Sequence, residues 1–310
     1  MIEQAVVAAR LLQYAGASVL FGLAWFCLYA LPATGPVSAV GARWPRPVLQ
    51  AAAVLLALGA AGGLLAQTAM MAGSWAEGLK AGSLGVVITG TGLGRAGLIR
   101  TLAALLALAA LLVVRPGPAL WRVTALLGAL ACASLAWMGH AAAAEGPGAP
   151  LHLASDVLHA LAAGAWIGAL AGFLALLRSP LQTTTAAAAA AHAALARFAG
   201  RGSAVVAVLV LTGLANSWFL VGPDRLAALW TTAYGRLLLL KLGLFCAMLA
   251  LAAANRMRLT PRLGAELDRN ASPGIALARL KQSLVWETGL GLTVLAVVAW
   301  LGTLPPPAAG

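Results

Sequence analysis

The stretch 138–166, MGHAAAAEGPGAPLHLASDVLHALAAGAW, holds His140, His152 and His159, three of the chain's four histidines, together with Asp156. Asp156 and Glu287 are the two acidic residues that fall inside apolar segments. Spacings of four, three and seven residues stack on an α-helix, so His152, Asp156 and His159 share one helix face. His140 closes the preceding apolar segment. Imidazole ligates metals through a neutral ring nitrogen and titrates near neutral pH. Imidazoles and a carboxylate on one face at a membrane boundary therefore point to a metal site or a proton path.

Composition decides which elements must hold these groups. Of 310 residues, 62% are hydrophobic and 9% charged, and the mean hydropathy is +0.93. A soluble domain carries roughly 25% charged residues, so this reads as an integral membrane protein. About 20 apolar residues cross the hydrocarbon core. Eight stretches qualify, at 10–32, 49–71, 96–114, 120–140, 152–176, 203–222, 234–254 and 284–304. The fold class expected is all-α: a polytopic bundle of eight transmembrane helices in a single integral membrane domain, 1–310. The N-terminus lacks the basic start and small-residue cleavage site of a secretory signal, so the first apolar run is read as a mature helix. The segment 183–200 reads as a helical lead-in to the sixth span, and the final PPPAAG as a short disordered end.

The formal charge of +12 does not imply a nucleic-acid partner, because most basic residues lie in short loops between apolar runs, where they set topology. The loops and helix ends after spans one, three, five and seven hold Arg43, Arg46, Arg115, Arg122, Arg178, Arg197, Arg201 and the basic residues from Arg256 to Lys281. The opposite loops hold Lys80, Arg95, Arg225 and Arg236, offset by Glu77, Glu145 and Asp224. The positive-inside rule then puts both termini outside the cytoplasm. His140, His152, Asp156 and His159 fall at that outer face, with His159 deepest. Met70, Met71 and Met138, at the ends of spans two and four, arrive at the same face.

Thioether with imidazole suits Cu(I), and carboxylate with imidazole suits Cu(II). A site drawn from His140, His152, Asp156, His159, Met70, Met71 and Met138 is therefore expected to receive copper in either state. His152 and His159 stand about 10 Å apart along a helix axis. Two stations follow, an outer one with His140 and His152 and a deeper one with Asp156 and His159. A relay of weak sites suits permeation, since an ion bound too tightly does not leave. Cys27, Cys132 and Cys246 lie far apart in separate apolar runs, with no CxxC pair to make a thiolate metal site or a dithiol redox centre.

Three further ionisable residues fall inside spans: Arg100, Lys241 and Glu287. Each is costly in hydrocarbon and needs a partner or a water-filled cavity. Arg100 and Lys241 are expected near the outer site, where Asp156 is the acid available for an ion pair. Glu287 is expected near the inner face, as an exit ligand or paired with Arg256.

The order of residues Gly139-His140-Ala141, Leu151-His152, His159 and Trp166-Ile167-Gly168 resembles the copper resistance protein D family of bacterial inner-membrane proteins. Phe198, Thr212-Gly213, Tyr234-Gly235, Lys241, Asn255-Arg256 and Glu287 continue the likeness, which is strongest over 140–304; Thr91, Gly94 and Arg100 match more weakly. Gly168-Ala169 and Phe198-Ala199 stand where the family pattern has Gly-Gly and Phe-Ser, and neither change removes a ligand. The resemblance implies a multi-pass protein that moves or handles copper across the inner membrane, usually described as uptake toward the cytoplasm. It also implies a periplasmic copper-binding partner of the copper resistance protein C type.

Two other readings compete. Paired histidines on facing helices are also the ligands of a haem-bearing membrane electron carrier. A non-transporting factor that loads copper into a respiratory oxidase would use the outer site alone. No GxSxG, HExxH or paired intramembrane carboxylates suggest a hydrolytic enzyme, and no Walker A motif suggests an ATP-driven pump. Membrane lipid is the surrounding partner, and no enzymatic activity is expected.

Overall fold

A computed structural model describes residues 1–31, 42–178, 185–269 and 274–309. Among these residues every regular element is helical. In chain order the α-helices are α1 (Ile2–Tyr29), α2 (Pro45–Met71), α3 (Trp75–Gly78), α4 (Ala81–Gly90), α5 (Gly92–Val113) and α6 (Pro118–Ser134). They continue with α7 (Ala149–Arg178), α8 (Thr185–Leu220), α9 (Ala228–Thr231), α10 (Ala233–Ala254), α11 (Thr260–Asp268) and α12 (Gly274–Leu301). Eight of these, α1, α2, α5, α6, α7, α8, α10 and α12, are long and apolar enough to cross a membrane. Helices are what hydrocarbon requires, because each backbone polar group must be satisfied within its own segment.

Several helices outrun their apolar windows. The alanine-rich segment before the sixth span is continuous with it, so α8 runs unbroken for 36 residues. Alanine's helix propensity accounts for the fusion. α10 passes through a π-helical turn, Asn255–Leu259, into α11. α1 begins at Ile2, which carries Arg10 inside the helix at 8% exposure, a residue that the hydropathy window had left at its edge. The proline-rich tail is also more ordered than its composition suggests. Pro307–Ala309 forms a 3-10 turn, and the Arg225 guanidinium donates to the Pro307 carbonyl.

α1 packs against α2, α6, α7 and α12. It meets α7 backbone to backbone through glycine. A Cβ on Gly22 would stand 2.1 Å from the Gly164 carbonyl oxygen, and one on Gly168 would stand 2.3 Å from the Gly22 Cα. Small residues at such crossings are the usual means of helix association in lipid, where burial of apolar surface gives no driving force. α7 in turn carries α8 and α12, and α12 carries α10. α8 and α10 thus flank a crevice floored by α7 and α12. Arg10 Nη2 donates to the Met138 carbonyl at 3.0 Å and Nη1 abuts Gly302, so the start of α1, the end of α6 and the end of α12 share one face. This is called the terminal face below.

Candidate metal-binding site

The face of α7 that carries His152, Asp156 and His159 turns toward α8. His152 is buried and its ring stacks on Phe219, 4.7 Å between centroids and 14° between planes. One turn deeper, the Asp156 Oδ1 accepts a long hydrogen bond from Asn216 Nδ2 at 3.3 Å. The Asn216 Oδ1 is buried without a partner among the described residues. Gly139 lies against the same carboxylate: a Cβ there would come within 3.1 Å of Oδ2. Ser155 Oγ donates to the Thr212 carbonyl at 3.2 Å and fixes the two helices at this level.

Deeper still, His159 Nδ1 lies 2.9 Å from Thr212 Oγ1. The Thr212 hydroxyl donates to the Val208 carbonyl at 2.6 Å. When the Thr212 proton lies on Val208, Oγ1 accepts from Nδ1–H, and this is the tautomer in which Nε2 keeps a lone pair. That is the ring state a metal needs, and a partner on the opposite nitrogen is what fixes it.

His140 stands on a 3-10 turn, His140–Ala143, outside the spans. Its ring meets Tyr234 edge-on at 6.3 Å. Burial holds its pKa below the ordinary imidazole value; the Arg10 guanidinium adds to this, and a hydrogen bond to the Leu304 backbone pulls the other way. His140 and His152 are close enough for their charges to interact.

The methionines are placed differently. The Met138 Sδ accepts from Arg100 Nη1 at 2.9 Å. Met70 and Met71 stand on the last turn of α2, 38% and 60% exposed. Among the described residues no three His, Cys, Asp or Glu side chains converge as a ready metal-binding group.

The expected ion pairs take another form. Arg100 does not reach Asp156; it is buried against α1 and α6, with Nε on Ser134 Oγ at 2.9 Å, Nη2 on the Ser134 carbonyl at 2.8 Å and Nη1 on Gln13 Oε1. Neutral acceptors suffice because a guanidinium spreads its charge over five donors. Lys241 senses Asp156 through space, but the one salt bridge among the described residues is Lys80 to Glu77. Glu287 is not paired with Arg256. Its Oε1 accepts from Trp166 Nε1 and its Oε2 from Asn255 Nδ2, both at 2.9 Å. Arg256 Nη1 donates instead to Ser203 Oγ and the Ala199 carbonyl.

Two cavities open along the crevice. One of about 260 Å³ is lined by His159, Ser217, Lys241 and Trp166. The other, about 850 Å³, is lined by Trp166, Asn255, Arg256 and Glu287. Asn216 and Thr212 were absent from the candidate metal ligands. They lie four residues apart, so they share a face of α8, and two polar groups so spaced in an apolar run are the signal that marks them.

Two family models match the chain: "Copper resistance protein D-like, N-terminal domain" over residues 1–150 and "Copper resistance protein D" over residues 192–301. Copper resistance protein D of Pseudomonas syringae pv. tomato is 37% identical over 305 residues, which cover 97% of this chain and 96% of that protein. Inner membrane protein YebZ of Escherichia coli is 33% identical over 176 residues, 56% of this chain and 55% of the relative. Copper transport protein CutJ of Bacillus subtilis is 30% identical over 178 residues, 56% of this chain and 28% of the relative. No solved structure matches.

Proposed function

The chain belongs to the copper resistance protein D family, and we propose from that premise that it handles copper at the bacterial inner membrane, carrying it from periplasm toward cytoplasm. The names of its relatives, one for copper resistance, one for copper transport and one for the inner membrane, support the copper and the compartment. Loop charge supports a periplasmic terminal face. The observation that carries the reading is the His159–Thr212 contact, which holds a half-buried imidazole by Nδ1 on the same face of α7 as Asp156 and turns Nε2 away from that hydrogen bond.

Copper enters at His140 and His152 and passes to Asp156 and His159. Because the Met138 sulfur faces Arg100 and Met70 and Met71 stand on the surface of α2, the imidazoles and the carboxylate are the ligands on which the proposal rests. Two ligands per station hold copper weakly, as a relay requires. The chain is then a carrier and not an enzyme. A periplasmic protein of the copper resistance protein C type is the proposed donor; uptake faster from the copper-loaded donor than from free copper is the test of that partnership.

The transport claim is tested in sealed proteoliposomes loaded with a copper-sensitive dye. Copper accumulation by the wild type, lost with His159→Ala and retained with the surface variant Met71→Leu, is the expected result. Copper bound but never accumulated would replace the carrier with a factor that loads copper onto a neighbour.

A further inference from the structure

Glu287 lies in the middle of α12 and is 2% exposed, in a region where a carboxylate needs strong compensation. Its two hydrogen bonds come from neutral donors, the Trp166 indole and the Asn255 amide. Asn255 is 6% exposed, and its own Oδ1 has no partner among the described residues. A buried amide oxygen without a donor is unfavourable, so this one is open to a ligand. Both residues line the 850 Å³ cavity, which has room for one.

The backbone is unusual at the same point. Asn255 opens the π-helical turn, and Thr260 Oγ1 donates to its carbonyl at 2.8 Å. Such turns inside α-helices are found frequently at functional sites. Arg256, the nearest cation in sequence, is held by Ser203 and Ala199 and leaves Glu287 without an ion pair. The cavity therefore presents a carboxylate and an unused carbonyl oxygen, and the Arg256 guanidinium on its wall is engaged by Ser203 and Ala199 and not by either of them.

We propose that Glu287 and Asn255 form a further cation station, built of oxygen donors and separated from the His159 cavity by the Trp166 indole. Its place on a copper route rests on the carrier reading above; its existence as a cation site does not. Carboxylate and amide oxygen favour hard or borderline cations over Cu(I). Cu(II) as cargo or a hard co-ion shares that chemistry. Trp166 lines both cavities, and its N–H bonds the carboxylate. A cation reaching Glu287 takes over the oxygen that the indole now holds, so the indole is freed as the ion arrives.

The test uses the full chain in detergent and two paramagnetic probes, Mn(II) and Cu(II), read by electron paramagnetic resonance. Mn(II) seeks oxygen and is expected to bind wild type and His152→Ala/His159→Ala alike. Its affinity should fall about tenfold or more in Glu287→Gln, and by a smaller factor in Asn255→Ala, which removes the orphan oxygen but not the charge. Trp166→Phe, which removes the competing donor, should bind at least as tightly as wild type. Cu(II) should give a nitrogen-coupled signal lost in the double histidine variant and an oxygen-ligated signal lost in Glu287→Gln. An oxygen-ligated signal without the nitrogen-coupled one would leave this station standing and remove the histidine site. Mn(II) lost in Glu287→Gln without any such Cu(II) signal would identify a co-ion station. Equal affinity for both probes in wild type and Glu287→Gln would overturn the proposal.

Discussion

His159 Nδ1 and Thr212 Oγ1 stand 2.9 Å apart, and the Thr212 proton is already given to the Val208 carbonyl at 2.6 Å. With the proton there, this hydroxyl on α8 accepts from Nδ1–H and leaves Nε2 of the α7 imidazole open to a metal. The contact couples helix packing to ligand chemistry, because a shift of α8 along α7 would unlock the ring.

Thr212→Val removes that acceptor and keeps the side-chain volume. Copper affinity is expected to fall by about 10- to 100-fold, as for other partners of ligating histidines. Thr212→Ser should restore most of it. Competition titration against a copper chelator reads both; an unchanged affinity in Thr212→Val would remove the threonine from the site.

His140 gives the pH dependence. Burial, assisted by Arg10, lowers its pKa, so the neutral ligand form survives below the pH at which a free imidazole protonates. Its contribution is complete above the unfolded value of about 6.5 and is lost as pH falls through the lower folded value. Copper affinity should thus stay flat down to that pH and decline only below it. His140→Gln should remove that part of the decline. Arg10→Gln, which lifts a repelling charge, should move the decline to higher pH.

Arg100 and Met138 separate packing from ligation. Met138→Leu deletes one of the acceptors around a buried guanidinium, which should cost about 0.5–1.5 kcal/mol of stability. Copper affinity should stay within about twofold, because the sulfur faces Arg100; a large loss would make Met138 a ligand. Arg100→Leu strands Gln13 and Ser134 and should cost more, about 1–3 kcal/mol for each buried polar group left unpaired. Chemical denaturation in detergent, followed by tryptophan fluorescence, measures both.

Gly22 tests the contact that seats α7 at the centre of the bundle. Its missing Cβ would fall 2.1 Å from the Gly164 carbonyl oxygen, a backbone atom that cannot rotate away. Gly22→Ala should therefore destabilise by at least about 1–3 kcal/mol, the usual cost of overpacking. Gly62→Ala, where a Cβ meets nothing within 4 Å, is the matched control. Equal melting temperatures for the two variants would contradict the close α1–α7 approach.

The helices were legible because hydrocarbon thickness and backbone satisfaction leave little choice: eight apolar runs of the right length became eight candidate spans. That His152, Asp156 and His159 share one face of a helix was legible from local spacing alone; that this face turns toward α8 was not. Partners across the bundle were not. Arg100 finds Gln13 and Ser134, 87 and 34 residues away, and Glu287 finds Trp166, 121 residues away. Such pairings depend on which helices are neighbours, which hydropathy does not encode. Arg10 was set at the edge of a span because a charge ends an apolar window, although its guanidinium reaches the Met138 carbonyl from inside α1. Thr212 was legible as part of a family pattern but not as the partner of His159.

The most direct test of copper handling at the α7–α8 face is copper stoichiometry and affinity on the purified chain, wild type against His152→Ala/His159→Ala, with Cu(I) and Cu(II) measured separately. The expected result is copper bound by the wild type and lost from this face in the variant, with a fold preserved by circular dichroism. Wild type and variant binding the same copper with the same affinity, or neither binding any, would contradict it.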